Sequence, residues 1–157
     1  MKKNISLLVL SVMAFTAYAQ VTITHPSRIE ADFRQVRTSP ALSEPEHSTG
    51  KFMYAYPDSV KWEYDSADAI KVPKMLVHII SKVNENQDKN PAFKKDFDTS
   101  WEGKTLTIKP KKKILSNLIN SISITFNNDG VADRVFVDEK SGSTTDIQFI
   151  NMTFTKR

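Results

Sequence analysis

Apolar and polar side chains alternate along much of this chain, and that alternation is typical of strands that bury one face of a sheet. In residues 28–38, Ile29 and Phe33 fall on one face, whereas Glu30 and Asp32 fall on the other. Further strands are predicted at residues 51–56, 60–64, 104–109, 121–127, 131–138 and 143–155. The chain is therefore predicted to be mainly β (α+β). Its outward carboxylates fit a solvated sheet face better than a catalytic pair.

Turn-forming residues separate neighbouring strands by short intervals. Pro57-Asp58-Ser59 turns the chain, Asn127–Gly130 supplies a glycine for positive φ, and Ser141-Gly142 forms a further turn. Residues 39–50 contain prolines and a glycine and are interpreted as a loop. Consecutive hairpins of this kind predict one antiparallel, strongly curved sheet.

One segment has the spacing of an amphipathic helix. Pro73 suits a first helical position, and residues 73–84 then carry apolar side chains at helical spacing. These side chains are Met75, Leu76, Ile79, Ile80 and Val83. We expect this helix to lie on the concave face of the sheet. Residues 92–98 fit neither pattern clearly.

The first 19 residues have the features of an export signal. Lys2 and Lys3 precede an apolar run at residues 5–15, and Ala17-Tyr18-Ala19 places small residues for cleavage before Gln20. A membrane anchor is the alternative, but the run is short for a bilayer-spanning helix. The sequence thus predicts a signal peptide at residues 1–19 and a single exported domain at 20–157.

Few residues offer catalytic or metal-binding chemistry. The chain has no cysteine, and His25, His47 and His78 are far apart without a motif spacing. It has no nucleophile elbow and no glycine-rich phosphate loop. Loss of the two leader lysines would lower the net charge from +4 to +2, too little to favour nucleic acid. We expect a non-enzyme without metal or cofactor. A small hydrolase is the alternative, and it needs a nucleophile and base in contact.

A basic run, Lys109-Pro110-Lys111-Lys112-Lys113, follows one predicted strand. It could attract anionic lipid head groups or an acidic partner. The alternative, a solvated turn after the strand, is the preferred interpretation.

Aromatic side chains concentrate in the first predicted hairpins, between Phe33 and Tyr64. They could form a packed core, or they could line a cavity left open because one helix supplies little material to fill a curved sheet. Both interpretations stay open. The side chains predicted to bind hydrophobic cargo are Phe33, Phe52, Tyr54, Tyr56, Val60, Trp62, Tyr64, Met75, Ile79, Ile122, Ile124 and Phe126.

The order of residues in two segments resembles the LolA family of periplasmic outer-membrane lipoprotein carriers. The front segment carries the resemblance at Phe33 with Gln35, Leu42, Ser48 to Phe52, Pro57, and Trp62 with Tyr64. The back segment carries it at Pro110, Asp129-Gly130, Gly142, Phe149 and Asn151. No element is specific by itself, but their order is.

The resemblance implies an incomplete antiparallel β-barrel with one or two helices as a lid on its concave face. It implies that lipoprotein or lipid acyl chains enter between lid and sheet. A monomer would receive them from an inner-membrane transporter complex and pass them to an outer-membrane acceptor. The chain differs from the family at Tyr56, where the family has a lid-latching arginine, and at Val60, an aromatic position. The alternative is an envelope interaction module of the same fold with a filled core.

Overall fold

The computed structural model describes residues 21–84 and 90–157. The strands in these residues are β1 (Pro26–Thr38), β2 (Glu46–Ala55), β3 (Ser59–Tyr64), β4 (Phe97–Glu102), β5 (Thr105–Pro110), β6 (Ile119–Phe126), β7 (Ala132–Glu139) and β8 (Thr144–Lys156). The helices are α1 (Lys74–Asn84), α2 (Pro91–Asp96) and α3 (Lys113–Ser116).

All eight described strands form one antiparallel sheet in the order β3-β2-β1-β8-β7-β6-β5-β4. The sheet does not close, since β3 and β4 are its two edges. The predicted fold class, a curved antiparallel sheet forming an incomplete β-barrel, is confirmed. The two longest strands, β1 and β8, pair at the middle of the sheet and join the two runs of hairpins.

A glycine allows the hairpin of β2 and β3 to lie close under an aromatic ring. Gly50 is paired with Phe33 of β1 on one side and with Tyr64 of β3 on the other. A Cβ atom at Gly50 would lie 2.7 Å from the Phe33 ring and 2.0 Å from the carbonyl oxygen of Glu63. Any larger side chain would therefore push the ring or the strand away.

The predicted helix is present with nearly the predicted bounds. At its start, Leu76 N–H donates a hydrogen bond of 2.9 Å to the Pro73 carbonyl. Its apolar face is buried in the single core cluster through Leu76, Ile79, Ile80 and Val83. His78 is exposed on the opposite face. Burial of this apolar stripe attaches the helix to the sheet.

The structure corrects the sequence prediction at three places. The predicted loop at 39–50 is too long, because β2 already begins at Glu46. The ambiguous segment contains α2, which Asn90 caps by accepting from Ala92 N–H at 2.9 Å, and then β4. The short helix α3 was not predicted at all. Four residues without a regular apolar spacing give no helical signal.

None of the helices in the described residues is long and apolar enough to cross a bilayer. The predicted signal peptide lies outside the described part of the chain.

Candidate functional site

A cavity of ≈ 500 Å³ opens between the start of α1, α3 and the sheet. Its volume falls within the range of about 300–1,000 Å³ that small-molecule sites occupy. The apolar side chains that line it are Ile70, Val72, Met75, Leu76, Leu115, Leu118, Ile119, Ile122 and Val137. The cavity is thus mostly hydrocarbon-lined, with the start of α1 and the segment before it forming one wall and α3 forming another.

Four neighbouring strands build the floor as one cross-strand row. Ile122 of β6 pairs with Val137 of β7, which pairs with Thr145 of β8, which pairs with Arg37 of β1. Paired residues in a sheet point to the same face. The row therefore changes from aliphatic at β6 to charged at β1, so the cavity has an apolar end and a polar end.

A bulge in β6 increases the apolar surface at the inner end. Ile119 and Ile122 are three residues apart, yet both are buried and both line the cavity. The register between β6 and β7 shifts between Ile119 and Ser121. An extra residue at a bulge reverses the alternation locally, which turns both isoleucines toward the same side.

Charged groups gather where the cavity meets solvent. Lys71 and Lys140 are exposed members of its lining, while Arg37 and Glu139 are half-buried. Arg37 Nη2 lies 3.9 Å from Glu139 Oε2. Three cations against one carboxylate make the opening electropositive, which favours an anionic group there.

A hydrogen-bonded chain, which we call the latch, holds the segment before α1 to the sheet. Val72 N–H donates to the Tyr64 hydroxyl at 2.9 Å, and that hydroxyl donates to Gln35 Oε1 at 2.8 Å. Gln35 Nε2 in turn donates to the Ile70 carbonyl at 2.8 Å. Gln35 is only 3% exposed, so the network satisfies an amide that would otherwise be costly to bury. The latch fixes the cavity wall at residues 70–72.

Burial favours the protonated form of the latch tyrosine. Desolvation raises the pKa of the Tyr64 hydroxyl above its ordinary value of 10.0, and the bonds to Val72 and Gln35 act in the opposite direction. The hydroxyl is therefore neutral at physiological pH and able to donate to Gln35.

The predicted aromatic side chains mostly pack on one another beside the cavity. The Trp62 ring lies 5.2 Å from Phe33, 5.1 Å from Phe52 and 5.7 Å from Phe149. The Tyr64 ring meets Phe33 edge-on at 5.0 Å. These tilted and edge contacts are those of a packed aromatic core.

The structure places two of the predicted cargo-binding residues, Met75 and Ile122, in the cavity lining. The fully buried members outside the lining are Phe33, Phe52, Tyr54, Ile79, Ile124 and Phe126. The partly buried members outside it are Val60, Trp62 and Tyr64. Tyr56 is half exposed, with the Arg157 guanidinium 4.0 Å from its ring centre. A cargo-binding role for the residues outside the lining stays a prediction.

Sequence reasoning missed several residues of the site. Val137 alternates in phase with Val135 in a predicted strand, and its pairing with Ile122 could have identified it. Leu115 and Leu118 gave no signal, because they belong to or follow a helix of a single turn. Gln35 was noticed only for the family resemblance, since a buried amide looks like any polar residue in a sequence.

The cavity shows no pairing of a nucleophile with a histidine. None of the three histidines, all described, lines it, and the rim hydroxyl of Ser141 donates to Glu139 at 3.1 Å. Residues 21–84 and 90–157 contain no group of three or more His, Asp or Glu side chains placed to hold a metal ion. The geometry of the cavity offers apolar contact and charge.

No protein-family model matches the sequence, and no curated protein is similar to it at a significant level. Among solved structures, one similar chain is a domain from Vibrio parahaemolyticus that is named for outer membrane lipoprotein sorting. It is 10% identical with a TM-score of 0.35, and the match covers 82% of this chain and 85% of that chain. A DUF1329 family protein from Desulfovibrio piger ATCC 29098 is 10% identical with a TM-score of 0.30, covering 82% and 86%. Likeness at this level carries no functional argument.

Proposed function

We propose that this protein is a non-catalytic carrier that binds the acyl chain of a lipidated or otherwise hydrophobic cargo. The observation that carries the proposal is the hydrocarbon-lined cavity of ≈ 500 Å³ beneath the start of α1. Met75 and Ile122 are the sequence-predicted residues that would touch the cargo there. Binding needs no cofactor, because burial of methylene groups supplies the energy.

The cross-strand row from Ile122 to Arg37 changes from apolar to charged, and this would orient the cargo. The end of the acyl chain would lie against Ile122 and Val137, and the polar head would lie toward Arg37. The alternative orientation would place a polar head against buried aliphatic side chains, which costs several kcal/mol when no hydrogen-bond partner is present.

The sequence also supports a proposal for location and partners. The predicted signal peptide at residues 1–19 and the residue order that resembles the LolA family support a periplasmic protein whose working form is the single domain at 20–157. In that setting the carrier would take cargo from an inner-membrane transporter complex and deliver it to an outer-membrane acceptor, as a monomer.

Chain-length dependence tests the proposal. The mature chain from Gln20 is loaded with a fluorescent fatty-acid probe, and unlabelled fatty acids of increasing length displace it. Each buried methylene contributes about 0.8 kcal/mol, so the affinity should rise roughly fourfold for each added methylene until the cavity is full. Native mass spectrometry of the gently purified protein would identify the natural cargo.

A matched pair of variants locates the binding site. Met75→Trp places a bulky ring in the cavity and should lower the affinity for fatty acids by at least about tenfold. Val77→Trp makes the same change on α1 at a residue outside the lining and should bind as the parent protein does. Equal binding by both variants would refute the cavity as the site.

One observation favours a second function, an envelope interaction module. Aromatic side chains of the first hairpins pack ring against ring, as in a core. If the fluorescent fatty acid does not bind, and native mass spectra show only the bare chain, the module is the better description.

A further inference from the structure

Two aliphatic side chains on one short turn are turned toward solvent beside the cavity. Ile114 is 84% exposed and Leu118 is 62% exposed, the two highest values among the large apolar side chains of the described residues. Scattered single exposed apolar residues need no explanation. This pair differs, because Leu118 also lines the cavity, so the exposed surface is continuous with its opening.

The backbone presents these side chains in a fixed position. Leu118 N–H donates to the Leu115 carbonyl at 3.0 Å, and Lys140 N–H donates to the Leu118 carbonyl at 2.9 Å. Leu115 packs against the core from the same turn. Ile114 and Leu118 thus project from an anchored element, at the place where α3 joins the sheet.

Lysines surround this turn. Lys111 pairs with Asp98 at 3.2 Å and Lys112 pairs with Asp96 at 2.9 Å. Within the described residues, Lys113 at the start of α3 and the rim lysines Lys71 and Lys140 have no ion-pair partner. The surface around Ile114 therefore has an excess of positive charge.

This combination fits a membrane better than a protein. Protein interfaces are enriched in aromatic residues and arginine and depleted in lysine. Anionic bilayers attract lysine through charge alone, and long lysine stems can follow apolar side chains into the head-group region. The projecting turn has aliphatic tips, flanking lysines and no aromatic residue.

We propose that α3 with Ile114, Leu118 and Lys113 is a docking surface for an anionic phospholipid bilayer. Insertion of the two aliphatic tips would bring the cavity opening to the head-group layer. An acyl chain could then move between bilayer and cavity without crossing water, which removes the cost of exposing its methylenes.

Vesicle flotation tests this surface independently of cargo binding. The mature chain should float with vesicles that contain phosphatidylglycerol and not with vesicles of pure phosphatidylcholine, and added salt should weaken the binding. Ile114→Ser should lower the partition coefficient by about tenfold or more, since an aliphatic tip no longer leaves water. Lys113→Gln should lower it about fivefold.

Two control variants match these changes elsewhere. Leu42→Ser removes an exposed leucine from the β1–β2 connection, and Lys61→Gln removes an exposed lysine from β3. Both should float like the parent protein. Failure to float with anionic vesicles, or equal losses in test and control variants, would overturn the proposal. An acidic protein would then be the better partner for the lysines.

The same variants separate this proposal from the carrier function. Ile114 does not line the cavity, so Ile114→Ser should leave fatty-acid displacement in solution unchanged. Vesicle binding without displacement would support the docking surface while refuting the carrier. Displacement without vesicle binding would do the reverse.

Discussion

Replacing Tyr64 by phenylalanine tests the latch at its central atom. The hydroxyl accepts from Val72 N–H and donates to Gln35 Oε1, so its removal leaves one donor and one acceptor without partners. A buried group that loses its partner costs about 1–3 kcal/mol. Because Tyr64 is half-buried, water can reach part of the site, and the lower end applies to both groups. The expected loss of unfolding free energy is about 2 kcal/mol.

The ring itself should stay in place, which limits the change to the two hydrogen bonds. The aromatic contact with Phe33 at 5.0 Å does not involve the hydroxyl. Equilibrium unfolding in urea should show a midpoint lowered by about 1 M with an unchanged m-value. Amide exchange of Val72 should accelerate more than global unfolding requires, because the segment before α1 is released locally.

Tyr56→Phe is the matched control. Tyr56 is half exposed, and its ring lies under Arg157, a contact that phenylalanine keeps. Its unfolding free energy should change by less than about 0.5 kcal/mol. If Tyr64→Phe is equally mild and the Val72 amide exchanges as before, the latch does not hold the cavity wall.

Three further outcomes can be checked by unfolding experiments. Because the pKa of Tyr64 is raised in the folded state, its contribution is fully present below the unfolded value near 10 and is lost as pH rises through the folded value. When the unfolding free energy is measured at a series of pH values, Tyr64→Phe should not show this loss of stability at alkaline pH. Phe52→Glu, at 2% exposure within the aromatic cluster, should cost several kcal/mol and abolish cooperative unfolding; a folded variant would refute the assigned facing. Gly50→Ala should destabilise by ~3 kcal/mol or more, whereas Gly103→Ala, with open space around it, should cost about 1 kcal/mol from its positive φ alone; similar losses would contradict the close approach at Gly50.

The sequence was informative wherever one local rule determined the structure. Alternation in residues 28–38 is enough to define β1, since nothing else satisfies a period of two over so long a stretch. Helical spacing after Pro73 defines α1 for the same reason. By contrast, β4 is an edge strand with mostly exposed side chains, so its residues carry no clear apolar face. An edge strand of this kind forms because it pairs with its neighbouring strand, which here is β5.

The position of the candidate site could not be predicted from local sequence patterns. Composition identified the aromatic residues and left core and cavity equally open for them. The answer depends on how rings from β1, β2, β3 and β8 meet across the sheet, and this is set by register. Phe149 completes the cluster from a strand more than 80 residues away from Trp62 in sequence, and it fills space that the earlier aromatic residues alone would leave.

The cavity stays open because backbone groups of its wall already have hydrogen-bond partners in their present positions. A flexible segment beside an apolar sheet would gain by collapsing onto it. The Ile70 carbonyl and the Val72 N–H would lose their partners on collapse, and buried backbone groups without partners are costly. Gln35 and Tyr64 supply those partners, and residues 70–72 line the same cavity as Ile122 and Val137. The latch and the cavity therefore depend on the same two side chains, and loss of the latch should free residues 70–72 to move into the cavity.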